Sequence, residues 1–145
     1  MLPLWIFSEG DQARGLGHLN RCSAYAAWRQ QGGTVHWVVD GDERARTLLV
    51  EESVSWSNWQ QQRTSPQQAV AIVDSYSASL ATLESITAGF LRVIYLDDTE
   101  RLTYPKGLVI HACPGAGGNQ SGMATWRRGP GWQPLRPPFW SVPAR

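Results

Sequence analysis

Five short apolar runs punctuate this chain: Pro3 to Ser8, Thr34 to Asp40, Ala69 to Asp74, Leu91 to Asp98 and Gly107 to Ala112. Each is too short for a buried helix, nearly continuous in its hydrophobicity and rich in Val, Ile and aromatic residues. That composition belongs to strands covered on both faces. The segments between several of them are long enough for helices. From His18, the apolar residues Leu19, Cys22, Tyr25 and Ala26 recur at three- and four-residue intervals until Gly32-Gly33, which predicts a helix of about four turns. Gly41 to Glu52 and Ser77 to Ala88 are also predicted to be helical, and Val54-Ser55-Trp56 a short strand before a polar loop that runs through Gln68. Strands alternating with helices imply right-handed crossovers. The fold class expected is therefore α/β, a Rossmann-like open, mostly parallel sheet with helices on both faces.

At 145 residues, 42% hydrophobic and 17% charged, the chain has the size and composition of one globular domain. Composition divides it into a Rossmann-like part, 1–113, and a Gly/Pro/Trp-rich part, 114–145. Pro130, Pro134, Pro137, Pro138 and Pro143 oppose long helices and central strands there, so an irregular tail or linker is expected. Leu2 to Phe7 is too short for a membrane span and carries no secretory pattern, which suggests a cytoplasmic protein. Cys22 and Cys113 form neither a disulfide framework nor a zinc quartet and read as small buried residues, with no metal or cofactor expected. The net charge is +1, and all 12 acids lie within residues 1–100. Arg127-Arg128 and Arg136 make the tail locally basic, as phosphate contacts or as solvated arginines. No basic stripe or aromatic interleaving points to nucleic acid.

In an open α/β sheet, ligands bind beyond the carboxyl ends of the strands. Those ends carry the loop Ser8 to His18, Asp40, Asp74-Ser75-Tyr76 and Asp97-Asp98, which should converge on one edge. Each aspartate alone could equally cap a helix or form a turn. Gly10, Gly15 and Gly17 free the first loop for positive φ and for close approach to a ligand. A dinucleotide fingerprint is disfavoured, because Asn20 stands where the third glycine belongs and the loop is too long, and no Gly-Lys-Ser/Thr ending supports a phosphate loop. His18 falls at a helix N-terminus, where the helix dipole disfavours an imidazolium. A neutral ring able to accept a proton from water is expected. His36 reads as structural and His111 as a second, weaker occupant of the cleft.

Gly15-Leu16-Gly17-His18-Leu19-Asn20-Arg21-Cys22, Val73-Asp74-Ser75-Tyr76, Leu96-Asp97-Asp98 and the stretch from Gly129 to Phe139 occur in an order that resembles the pseudaminic-acid pathway UDP-sugar hydrolases. Those enzymes, with the related spore-coat polysaccharide proteins, have glycosyltransferase-like folds of the GT-B type. The resemblance implies release of UDP from a UDP-linked diacetamido-trideoxy sugar, with His18 as general base. It implies substrate contacts from Gly15, Gly17, Arg21, Asp74, Tyr76 and Asp98. It also implies a nucleotide-binding domain or partner chain beyond these residues, without which turnover is not expected. Ser8-Glu9-Gly10 departs from the basic residue and Asp-Gly pair usual at this place, and Trp132 from the usual tyrosine, which leaves the sugar open. Sugar transfer at the same site is one alternative. A non-catalytic binding half that presents Trp126, Trp132 and Trp140 is another.

Overall fold

The computed structural model describes residues 1–63, 65, 67–113 and 122–136. They build one seven-stranded sheet from β1 (Leu4–Gly10), β2 (Val35–Gly41), β3 (Val54–Trp56), β4 (Gln67–Asp74), β5 (Phe90–Leu96), β6 (Leu108–His111) and β7 (Thr125–Arg128), in the order β3-β2-β1-β4-β5-β6-β7. Every pairing is parallel. This is the Rossmann-like arrangement expected, and the chain reverses its direction of travel across the sheet between β1 and β4.

Helices cover both faces. On one, α1 (Gly17–Ala26) buries Leu19, Cys22 and Ala26, and α2 (Glu43–Leu48) buries Ala45, against Ile6, Val39, Ile72 and Leu96. On the other, α3 (Leu80–Gly89) packs Leu83 and Ile86 against Val73, Tyr95 and Val109, beside Trp59 and Tyr104. Successive strand residues point to opposite faces, so these two sets alternate along each strand.

The helices are shorter than the sequence patterns suggest, each for a local reason. After Ala26 the first one tightens into a 3-10 turn, Ala27–Gln31, whose residues bury nothing, and Gly32 ends it at φ 82. The second begins only at Glu43, because Gly41 still belongs to β2 and Asp42 is the N-cap, its Oδ1 accepting from the amides of Arg44 and Ala45 at 3.0 and 3.3 Å. The third starts at Leu80, with the Ser79 hydroxyl capping Thr82 N at 3.2 Å.

The Gly/Pro-rich tail is not wholly irregular. Thr125 to Arg128 pair with Leu108 to His111 as an edge strand, and a 3-10 turn follows at Pro130–Trp132. Thr and Trp favour strands, no proline interrupts the four residues, and an edge position demands hydrogen bonds on one side only. Trp126 is buried against Tyr104, which removes it from any exposed aromatic surface; Trp132 is 45% exposed. Pro137, Pro138, Phe139, Trp140 and Pro143 lie outside the described residues. Among the described residues, no helix is long and apolar enough to cross a membrane.

Candidate active site

β1 and β4 lie side by side with Ser8 opposite Asp74, and the loops leaving them turn to opposite faces. Such a switch point opens a crevice at the carboxyl edge. The glycine loop after β1 folds on itself. Gly15 N donates to Asp11 O at 2.8 Å, and Asp11 Oδ1 accepts from the amides of Ala13 and Arg14 at 3.0 and 2.7 Å. Gln12 N is taken by Asp42 Oδ2 at 2.9 Å. With its amides so engaged, the turn offers no phosphate cradle. Of the three glycines, only Gly15 has positive φ, at 77°. At Gly10 an added Cβ would stand 2.7 Å from Leu19 Cδ1, whereas at Gly17 it would meet nothing within 4 Å.

The loop delivers α1, whose first turn carries His18. The ring is buried, and its Nδ1 lies 2.6 Å from Oδ1 of the fully buried Asp74. One turn on, Arg21 donates to the same carboxylate in a fork, Nε to Oδ2 at 2.7 Å and Nη2 to Oδ1 at 2.6 Å. Its remaining arm, Nη1, donates to Asp98 Oδ2 at 2.5 Å. Tyr76 completes the circuit, its hydroxyl 2.9 Å from Asp98 Oδ2 and its ring edge-on to His18 with centroids 4.2 Å apart. Cys113 is only partly buried, not a core residue as its sequence context suggested, and its thiol donates to Asp98 Oδ1 at 3.7 Å.

These contacts fix the charges. Burial works against the Arg21 cation, but Asp74 and Asp98 outweigh it and raise its pKa. Burial would lift Asp98, yet Arg21, Tyr76 and Cys113 together hold it below the usual carboxylate range. Burial and the bond to Asp98 push the Tyr76 hydroxyl up to about 12. A carboxylate can only accept, so the 2.6 Å contact with Asp74 puts the donated proton on His18 Nδ1 and leaves Nε2 as the ring nitrogen that Asp74 does not engage.

Gly17, His18, Arg21, Tyr76 and Asp98 line a pocket of about 300 Å³, joined by Arg14 and Gln133. That volume lies at the small end of ligand pockets, about 300–1,000 Å³. Asp74 lies beneath it, and Gly15 shapes the turn without lining it. A larger groove of about 730 Å³ runs over Val70, Ile94 and Leu108, flanked by Arg92 and Lys106, and shares no residue with this pocket.

Other predicted residues serve elsewhere. Asp40 pairs with Arg14 at 3.1 Å, and Asp97 forms a turn, accepting from the amides of Thr99 and Glu100. His36 packs against Trp5 with centroids 5.1 Å apart. His111 follows Ile110 and so points to the α3 face, away from His18; its Nε2 lies 3.8 Å from Glu100. Arg128 pairs with Glu100 and stacks on Trp126. Among the described residues, no cluster of His, Cys, Asp and Glu could hold a metal ion.

Neither Glu9 nor Gln60 is among the site residues expected from the sequence. Glu9 is 1% exposed and accepts from Tyr76 N, Ser77 Oγ and Gln60 Nε2 at 3.0, 2.7 and 2.8 Å. Its signal was parity: two residues after Phe7 on the same strand, it had to point toward the α3 face. No family model, curated protein or solved structure matches this chain.

Proposed function

We propose that this chain is the histidine-bearing half of a nucleotide-sugar hydrolase, acting on a UDP-linked diacetamido-trideoxy sugar in surface-polysaccharide or nonulosonic-acid synthesis. The observation that carries it is the 2.6 Å contact between His18 Nδ1 and buried Asp74, in a ring that lines the pocket. In this mechanism Nε2 takes a proton from water as its oxygen bonds to the anomeric carbon. The bond to the UDP oxygen breaks, and its electron pair leaves with UDP. Asp74 stabilises the imidazolium that forms. Such a base contributes about 10²- to 10⁴-fold.

Charge supports assigning the sugar rather than the diphosphate to this wall. Both arginines are committed, Arg21 to Asp74 and Asp98, and Arg14 to Glu9, Asp11 and Asp40. A diphosphate would have to displace carboxylates already in place. The uncapped N-terminus of α1 supplies first-turn amides free of intrahelical partners, suited to charge developing on the departing oxygen. In this proposal the nucleotide is gripped by a second domain or partner chain. The free thiols of Cys22 and Cys113 suit a reducing, cytoplasmic setting.

The test is UDP release by a two-domain form carrying His18→Ala. A fall of about 10²-fold or more is expected, and release at the parent rate overturns the assignment.

A further inference from the structure

Tyr76 belongs to a loop and is 48% exposed, yet it forms the wall against which His18 packs. Its hydroxyl reaches Asp98, but that bond is at the far end of a long side chain and does not hold the Tyr76 amide, while Ser75 Oγ takes the amides of Ser77 and Ala78 and Arg101 the carbonyl of Ser75. We propose that Glu9 is the positioning residue of this pocket, and that it acts by holding the main chain of Tyr76. The part it plays in turnover rests on the hydrolase proposed above; the anchoring does not.

The two oxygens of Glu9 have different duties. Oε1 accepts from Tyr76 N at 3.0 Å. Oε2 gathers Ser77 Oγ at 2.7 Å, Gln60 Nε2 at 2.8 Å and Arg14 Nη1 at 3.3 Å. One buried carboxylate thus ties the loop after β4 to the 3-10 turn Trp59–Gln61 and to the glycine loop that carries α1. Register explains how it reaches them all. Glu9 stands between Asp40 on β2 and, one step beyond the Ser8 and Asp74 pair, the start of the Tyr76 loop. On the other face of the sheet, Asp74 takes His18 and Arg21 from α1. Two successive residues of β1 therefore serve the two sides of the crevice: Ser8 bonds to the carbonyl of Asp74, and Glu9 to the amide of Tyr76. His18 is held from one side by Asp74 and faced from the other by a tyrosine whose place Glu9 sets.

Glu9→Gln separates the two duties. An amide nitrogen at the Oε2 position would confront two nitrogen donors, Gln60 Nε2 and Arg14 Nη1, and displace the Ser77 hydroxyl proton, so the stable orientation places it at Oε1, facing the single donor Tyr76 N. The substitution then releases Tyr76 selectively. Ser77→Ala is the counterpart, removing one donor from Oε2 while leaving Tyr76 N bonded.

The experiment is amide hydrogen exchange and His18 ring-proton NMR on the full chain. In the unaltered protein Tyr76 N–H is expected to be protected despite its exposed side chain. In Glu9→Gln its exchange is expected to speed up by about tenfold or more, with the His18 ring resonances moving as the tyrosine ring current is lost. In Ser77→Ala both readouts stay at the parent values. Unprotected exchange of Tyr76 N–H in the parent overturns the proposal even where Glu9→Gln does not fold, and so do His18 resonances unmoved by a folded Glu9→Gln. In a two-domain form, Glu9→Gln is expected to lower kcat more than it changes KM. Absence of UDP release by the parent would count against the hydrolase alone, because exchange and resonances decide the anchoring independently.

Discussion

Replacing Asp74 by asparagine preserves the shape of the residue and removes its charge. The carboxylate is fully buried, with two donors on Oδ1, His18 Nδ1 and Arg21 Nη2, and on Oδ2 Arg21 Nε together with the weak Cys22 thiol at 3.8 Å. An asparagine does least harm by keeping its oxygen at Oδ1 and turning its amide toward Arg21 Nε. One charge-assisted bond becomes a meeting of two donors, and the Arg21 cation loses the counter-charge that it grips with two bonds. Breaking a buried ion pair costs about 3–5 kcal/mol. Arg21 keeps Asp98 and its side chain is 15% exposed, which sets the expectation at the lower end, about 3 kcal/mol. With a urea slope of about 2 kcal/mol per molar, the unfolding midpoint falls by about 1.5 M at unchanged slope. Arg21→Met in the same background removes the stranded cation. The double variant should therefore lose less than the sum of the single losses, by about 1–3 kcal/mol. A midpoint shift under about 0.3 M, or additivity within about 0.5 kcal/mol, would refute the account of Asp74 as the charge that organises the pocket.

Acid should weaken the fold in part through Asp98. A carboxyl group whose folded pKa is depressed contributes stability that is complete above its unfolded value, about 3.9, and is lost as pH falls through the folded value; Asp98 and Asp11 are both of this kind. Urea midpoints at pH 7 and pH 3 should differ less in Asp98→Asn than in the parent, and equal differences would count against it. Gly15→Ala places a side chain at φ 77 in open space, so its cost is backbone strain alone, about 1–2 kcal/mol by urea unfolding. Gly17→Ala begins a helix, meets no neighbour and should not lower stability, yet it lines the pocket. On the proposed hydrolase reading it should weaken UDP-sugar binding in a titration followed by NMR, and undiminished affinity would separate this face of the pocket from the ligand.

The strands were legible because both of their faces are covered. Runs such as Val70 to Val73 have no polar alternation to confuse them with surface strands, and their aspartate endings marked the working edge. His18, Arg21, Tyr76, Asp74 and Asp98 meet there as the placement of the strand ends required. Helix limits were less visible, since caps decide them: Asp42 and Ser79 set starts that periodicity alone could not. The four residues of β7 were hidden by the prolines and glycines around them. Glu9 and Gln60 escaped because the bonds that Glu9 accepts from Gln60 and Ser77 span 51 and 68 positions and depend on which way each strand residue faces. The division of the aspartates depended likewise on parity and loop geometry: Asp74 faces α1, whereas Asp97 turns back onto its own loop amides.

The seam between β1 and β4 has a consequence for how the protein becomes functional. The other strand pairings join neighbours in sequence, so the segment with β1 to β3 and the segment with β4 to β7 can each form from local contacts before the two meet. His18 and Asp74, Arg21 and Asp98, and Glu9 and Tyr76 each have one member in either segment. Neither segment holds a complete pocket, and the pocket is assembled only with the closing of this single nonlocal junction. A chain divided between β3 and β4 would therefore behave as a split reporter, silent as separate pieces and restored when they reassociate.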